Sequence, residues 1–175
     1  MARIARAGIR FVILSVAGIV LVAVFIVVKS YSRARPSQPI EYNHKVHIEN
    51  AGLNCLDCHV HAGDNVAATF PSLEVCRNCH NAEPVSKSAE ELKVLKYVAE
   101  QKEIPWNQVY QVPDHVYFSH RRHVTVGKLE CSVCHGDMKQ QTAPVSVPYL
   151  AVTMDNCIKC HRERKITNDC LACHR

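Results

Sequence analysis

The chain has no cysteine outside one recurring pattern, no acidic residue in its first 39 positions, and little of the apolar–polar alternation that marks strands. Each absence excludes something. With no cysteine to spare, a separate disulfide framework is excluded. Poor alternation argues against a β-sheet domain, and loops rich in Pro, Asn, Asp and Gly fill the space between motifs. The absence of acidic residues sets residues 1–39 apart from everything that follows.

What is present is a fivefold motif. All ten cysteines fall into Cys-x-x-Cys-His: Cys55/Cys58/His59, Cys76/Cys79/His80, Cys131/Cys134/His135, Cys157/Cys160/His161 and Cys170/Cys173/His174. This is the attachment pattern of c-type haem. The two thiols bond to the haem edge, and the adjacent imidazole ligates the iron from one face. Paired cysteines also bind zinc, but zinc sites do not need a histidine directly after the second cysteine, and here all five copies have one. Five covalently bound haem c groups are expected.

Phe11 to Val28 is an uncharged run of eighteen residues, about 27 Å at helical rise and close to a bilayer core. Arg3, Arg6 and Arg10 precede it; Lys29, Arg33 and Arg35 follow. A cleaved signal peptide would have a shorter apolar region and a small-x-small cleavage site, so an uncleaved signal anchor is expected. Three basic residues on each side leave the orientation open. Thioether attachment takes place outside the bacterial cytoplasmic membrane. A single-pass inner-membrane protein with its haem domain on the periplasmic side is therefore expected. The anchor also carries the formal charge of +5, because residues 40–175 hold fifteen basic and sixteen acidic residues. Haem propionates make that part more acidic still, which leaves no case for nucleic acid.

The 136 residues of that part amount to about 27 per haem, too few for a conventional core around each. The expected fold class is a multihaem cytochrome c, mostly irregular, with short helices packed on five haems and one N-terminal transmembrane helix. Motif starts are separated by 21, 55, 26 and 13 residues. The long gap divides the chain into an anchor and linker (1–39), a two-haem unit (40–86), a helix and linker (87–112) and a three-haem unit (113–175). In the gap, Ser88-Ala-Glu-Glu91 predicts a capping box. It opens a helix with Leu92, Leu95, Val98 and Ala99 on one face, stopped before Pro105. The pattern also repeats: Tyr42-Asn-His44-Lys-Val-His47 precedes the first motif as Phe118-Ser-His120-Arg-Arg-His123 precedes the third.

The motif histidines supply five iron ligands. Six histidines remain for the opposite faces (His44, His47, His61, His115, His120 and His123), with Met138 and Met154. Histidines three apart on a helical turn share a face at different heights, so one His-x-x-His can serve two neighbouring haems. This arrangement resembles the small cytochrome c7 and c3 group. By position, that resemblance implies His44 for the first haem, His47 for the second, His120 for the third and His123 for the fourth. In cytochrome c7 a histidine just before the second motif of the unit serves the remaining iron. Here that place reads Val152-Thr-Met154-Asp-Asn-Cys157, which makes Met154 the expected ligand of the fifth haem. A thioether would raise that haem's potential. His115 is an alternative to His47 at the second haem, and His61 is the weakest candidate.

The order of features, with Phe70-Pro71-Ser72, Pro105-Trp106, Pro113-Asp-His115-Val-Tyr-Phe-Ser-His120-Arg-Arg-His123, Cys134-His-Gly136 and Met154 to Arg162, resembles the pentahaem cytochrome subunit of alternative complex III. That family often has Met-Gly-Trp before the fourth motif, where this chain has Met154-Asp-Asn. The resemblance implies an electron-transfer subunit, not an enzyme, within a quinol:electron-acceptor oxidoreductase. Implied partners are polytopic quinol-binding subunits, an iron–sulfur subunit and a monohaem cytochrome. A soluble cytochrome, copper protein or oxidase would be the acceptor. The alternative is a self-sufficient, single-helix quinol dehydrogenase feeding a periplasmic reductase. Quinol oxidation needs a proton acceptor, and the anchor holds no acidic residue. A multihaem reductase would need an open iron, and the supply of ligands leaves no shortage.

Overall fold

The computed structural model describes residues 2–33 and 36–174; Met1, Ala34, Arg35 and Arg175, which fall in the amino-terminal, linker and last-haem segments, lie outside the described residues. The chain divides into two compact units, Met1–Pro36 and Ser37–Arg175.

The first unit is a single helix, α1 (Ala2–Arg33). Its window Ile13–Ser30 has a mean hydropathy of 2.6, and none of it is buried against protein. By length and composition this helix can cross a bilayer.

The second unit is helical and irregular, and no strand occurs among the described residues. Its helices are α2 (His44–Glu49), α3 (Cys55–Cys58), α4 (Leu73–Arg77), α5 (Ala89–Glu100), α6 (Ser132–His135), α7 (Met154–Glu163) and α8 (Cys170–Cys173). A π-helical turn covers Arg122–Val126 and a 3-10 turn covers Met138–Gln140. Apolar burial is sparse: among the described residues only Ile40, Ala62, Leu73 and Ile104 are buried hydrophobics. Ile40, Leu73 and Ile104 form one cluster, joined by Cys76, Val94, Tyr97, Val98 and Trp106. Such a core is thin for a unit of this size, as expected where a cofactor completes the interior.

Helix α5 starts where its sequence signal lies, with the Ser88 hydroxyl accepting from the Glu90 amide at 3.2 Å. It ends earlier than Pro105, at Gln101 in the left-handed conformation (φ 52°). The expected inward face is rotated. Val94, Tyr97 and Val98 meet the core, whereas Leu92 is 58% exposed and Ala99 is exposed. Glu91 is the cause: it turns inward instead of closing a capping box.

Candidate haem sites

Each Cys-x-x-Cys-His folds as one helical turn. The amides of His59, His80, His135 and His174 donate to the carbonyls of Cys55, Cys76, Cys131 and Cys170 at 2.8–3.0 Å; the fourth copy lies within α7. On such a turn, positions i, i+3 and i+4 share a side. Both thiols and the imidazole of every motif therefore face one way. Polar caps fix these turns: Asn54 with Asp57 before the first, Thr153 before α7 and Asp169 before the last.

The thiols that the sequence assigns to haem do not share one setting. Cys79 is exposed and lies beyond the end of α4, which stops at Arg77. The reason is the packing of its motif. Leu73 and Cys76 take the inward side of α4 and join the apolar cluster, and the chain leaves the helix before Cys79 can follow them. The Cys79 amide still donates to the Cys76 carbonyl at 3.2 Å, so the turn closes. Cys157 and Cys170 are exposed as well, whereas the remaining seven cysteines are half-buried.

Opposite the motif histidines stand other histidines. His47 faces His80 with 6.2 Å between ring centroids, and His120 faces His135 at 6.5 Å with planes 10° apart. His123 faces His161 at 6.2 Å, and His115 faces His174 at 5.6 Å and 14°. Two metal–imidazole bonds of about 2 Å each, plus the distance from ring centre to nitrogen, need about 6 Å between centroids. The spacing fits a metal held between two imidazoles. His44 lies near His59: burial first, then the charges of His59 and His47, pull it down to about 4. It is neutral at pH 7, as a ligand must be.

The outer ring nitrogens are tied back, which aims the other nitrogen at the facing ring. The Nδ1 atoms of His47, His120, His123 and His161 meet the carbonyls of Asn43, Val66, Ser119 and Thr167 at 2.7–3.2 Å. His80 differs. Its Nδ1 meets the Glu91 carboxylate at 2.7 Å. Two buried side-chain nitrogens, His44 Nδ1 and Trp106 Nε1, have no protein partner. An indole N–H in that state suits an acidic group such as a haem propionate.

The two His-x-x-His segments repeat in space. Tyr42 stands edge-on to His44 (82°) and stacks on His47 at 4.5 Å and 22°. Phe118 stands edge-on to His120 (90°) and stacks on His123 at 4.6 Å and 22°. One aromatic wedge thus sets both rings of each pair. The copies are joined through the loop after the first motif: the His120 and Arg121 amides donate to the carbonyls of Val66 and Asn65, and the Thr125 hydroxyl donates to the Gly63 carbonyl.

Sequence reasoning expects Met154 at the fifth iron, opposite His174. Met154 lies 61% exposed at the first turn of α7, and the ring that faces His174 is that of His115. The neighbours of His115 are held against the last motif: the Tyr117 amide donates to the Cys173 carbonyl at 2.7 Å, and Val116 bridges His174 in antiparallel fashion. The supply of six spare histidines for five irons was the available signal. His61 stays at the surface, its Nδ1 accepting from the Asn65 amide group at 3.0 Å.

The motifs also have an order in space. Besides burial, which comes first, neighbouring thiols push up the pKa of Cys76, Cys131, Cys134 and Cys157. Cys76 is next to Cys58, Cys131 pairs with Cys55, Cys134 lies near Cys160 and Cys157, and Cys157 lies near Cys173. The sequence of neighbours runs second, first, third, fourth, fifth.

Residues 116–175 match the family model described as cytochrome c7 and related cytochrome c. A curated relative from Nitratidesulfovibrio vulgaris (strain Hildenborough), "Menaquinone reductase, multiheme cytochrome c subunit", is 32% identical over 165 residues. The match covers 81% of this chain and 79% of the relative.

Proposed function

Because this chain belongs to the family of multihaem cytochromes c that includes the menaquinone reductase subunit, we propose that it carries five haems and relays electrons inside a quinone-linked membrane complex. When bound, each haem supplies a one-electron centre. The cysteines, the exposed Cys79 among them, hold the haems covalently. Paired imidazoles ligate each iron: His44 with His59, His47 with His80, His120 with His135, His123 with His161 and His115 with His174. Met154 is left out of this set. The observation that carries the reading is the facing of histidine rings at 5.6–6.5 Å in four of these pairs. Two strong ligands on an iron leave no open position for a substrate, which favours transfer over catalysis.

In this reading the relay runs between the second and fifth motifs through the first, third and fourth. α1 anchors the unit to the cytoplasmic membrane, with the haems on the periplasmic side. The quinone site lies on a polytopic partner, since α1 brings no acidic residue to accept a proton. Iron–sulfur and monohaem subunits complete the assembly. In this reading the chain comprises an anchor and linker (1–39), a two-haem unit (40–86), a helix and linker (87–112) and a three-haem unit (113–175).

Two directions of flow fit such a wire. The alternative complex III resemblance favours quinol oxidation, with electrons passing to a periplasmic acceptor or oxidase. The relative's name favours the reverse, delivery to menaquinone. Purification from native membranes in mild detergent tests the assembly. Polytopic and iron–sulfur subunits are expected to accompany the chain; a lone chain with full quinol dehydrogenase activity would overturn it. Mixing the complex with a menaquinol analogue, then with a reduced soluble cytochrome, reads the direction from which haems reduce first.

A further inference from the structure

Glu91 has no role in the reading above, yet it is the one buried charged residue among the described residues, 5% exposed. Its Oε1 accepts from His80 Nδ1 and the Val85 amide, both at 2.7 Å. Its Oε2 accepts from the Ser86 amide at 2.7 Å and the Ser86 hydroxyl at 2.5 Å. The carboxylate is held from both oxygens and aimed at a single imidazole. Four donors surround the two oxygens, an arrangement that suits an ionised carboxylate, which only accepts.

The comparison lies within the molecule. His47, His120, His123 and His161 give their Nδ1 to neutral carbonyls. His80 alone among the described histidines gives it to a buried carboxylate. A hydrogen bond to an ionised acceptor is roughly twice as strong as one between neutral groups. It draws the Nδ1 proton away from the ring, so Nε2 becomes a stronger donor. A ferric centre has one more positive charge than a ferrous one. Both the stronger donor and the nearby negative charge therefore favour the ferric state.

Building on the ligand assignment above, we infer that Glu91 is a positioning residue that sets the second haem to a lower potential than a carbonyl-bonded imidazole would give. This haem stands at one end of the relay. The effect is local, because the carboxylate touches one motif only. Ser86 belongs to the same device: its hydroxyl takes part of the carboxylate's charge and limits how much reaches the ring.

The test uses the full-length protein in detergent, titrated potentiometrically with optical and EPR detection. The 61° angle between His47 and His80 separates their EPR signal from those of the pairs at 10° and 14°. In Glu91→Gln, one component is expected to become at least tenfold easier to reduce, 59 mV for one electron, while four stay in place. In Ser86→Ala the same component is expected to move the opposite way by a smaller amount. The inference is overturned if Glu91→Gln moves no component or all together, or if both variants move one component in the same direction, as a loosened loop would. Should Glu91→Gln lose a haem, Ser86→Ala decides: a downward movement supports the inference, and none overturns it. Haem content by pyridine haemochromogen, measured first, tests the pentahaem reading on its own.

Discussion

A histidine acquires its role here from what holds its back. Six ligand candidates are aimed by an acceptor at Nδ1, and His115 is aimed by the backbone clasp of Val116 and Tyr117 on the last motif. If His115 faces the last iron, His115→Ala converts one haem to high spin and leaves the other four low-spin, as read by EPR. Met154→Ala leaves the spectrum unchanged, and the parent shows no thioether-to-iron band in the near infrared. A second position depends on the backbone alone. Gly136 follows the third motif at φ 70° and ψ −166°, and a Cβ there would meet the Tyr149 ring at 2.8 Å. Only glycine takes that conformation cheaply, so Gly136→Ala is expected to cost about 1–3 kcal/mol and lower Tm. That the spare histidines of the two His-x-x-His segments stand opposite motif histidines was legible from the sequence. Which spare side chain meets the last motif was not, because His115 and His174 lie far apart along the chain and meet only through a bridge that no periodicity encodes. Nor was the docking of the second motif on the apolar cluster through Cys76, since five like motifs carry no mark of which one docks there.

Among the elements, α5 separates what local chemistry dictates from what packing decides. Ser88 and the apolar spacing announced the helix, and Ser88 caps it. Its inward face was misread, since a carboxylate counts as polar in any hydrophobic pattern, yet here four hydrogen bonds make Glu91 the most buried residue of the helix. The consequence is measurable in thermal unfolding. Val98→Ala removes packing from the Ile40–Leu73–Ile104 cluster and is expected to cost about 1–2 kcal/mol. Leu92→Ala removes an exposed side chain, so a change of no more than about 0.5 kcal/mol is expected. The His-x-x-His repeat was legible in full as a pattern. Its shared aromatic wedge was written there too, since Tyr42 and Phe118 occupy the same place in each copy. That the second copy continues as a π-helical turn was not, because the Gly127 amide reaches back five residues to the Arg122 carbonyl, a register that no apolar spacing announces.

The molecule as a whole joins an apolar helix to a unit with four buried hydrophobic residues among those described. Residues 37–175, exported and matured without α1, are expected to give a water-soluble holoprotein with five haems, measured by mass and by haemochromogen stoichiometry. The same chain made without haem attachment is expected to lack a cooperative unfolding transition, checked by calorimetry, because its apolar cluster is too small to offset the entropy of ordering the chain. The order of neighbours, second, first, third, fourth, fifth, could not be read from motif spacing: the contact between the first and third motifs passes through the Gly63–Val66 loop, distant in sequence from the segment it meets.

The thin core has a consequence for the cell. A chain that misses its cofactor presents open backbone to proteases, whereas a loaded one does not. Degradation then sorts the two populations with no dedicated checkpoint. In the proposed reading, the amount of this protein then follows the supply of haem.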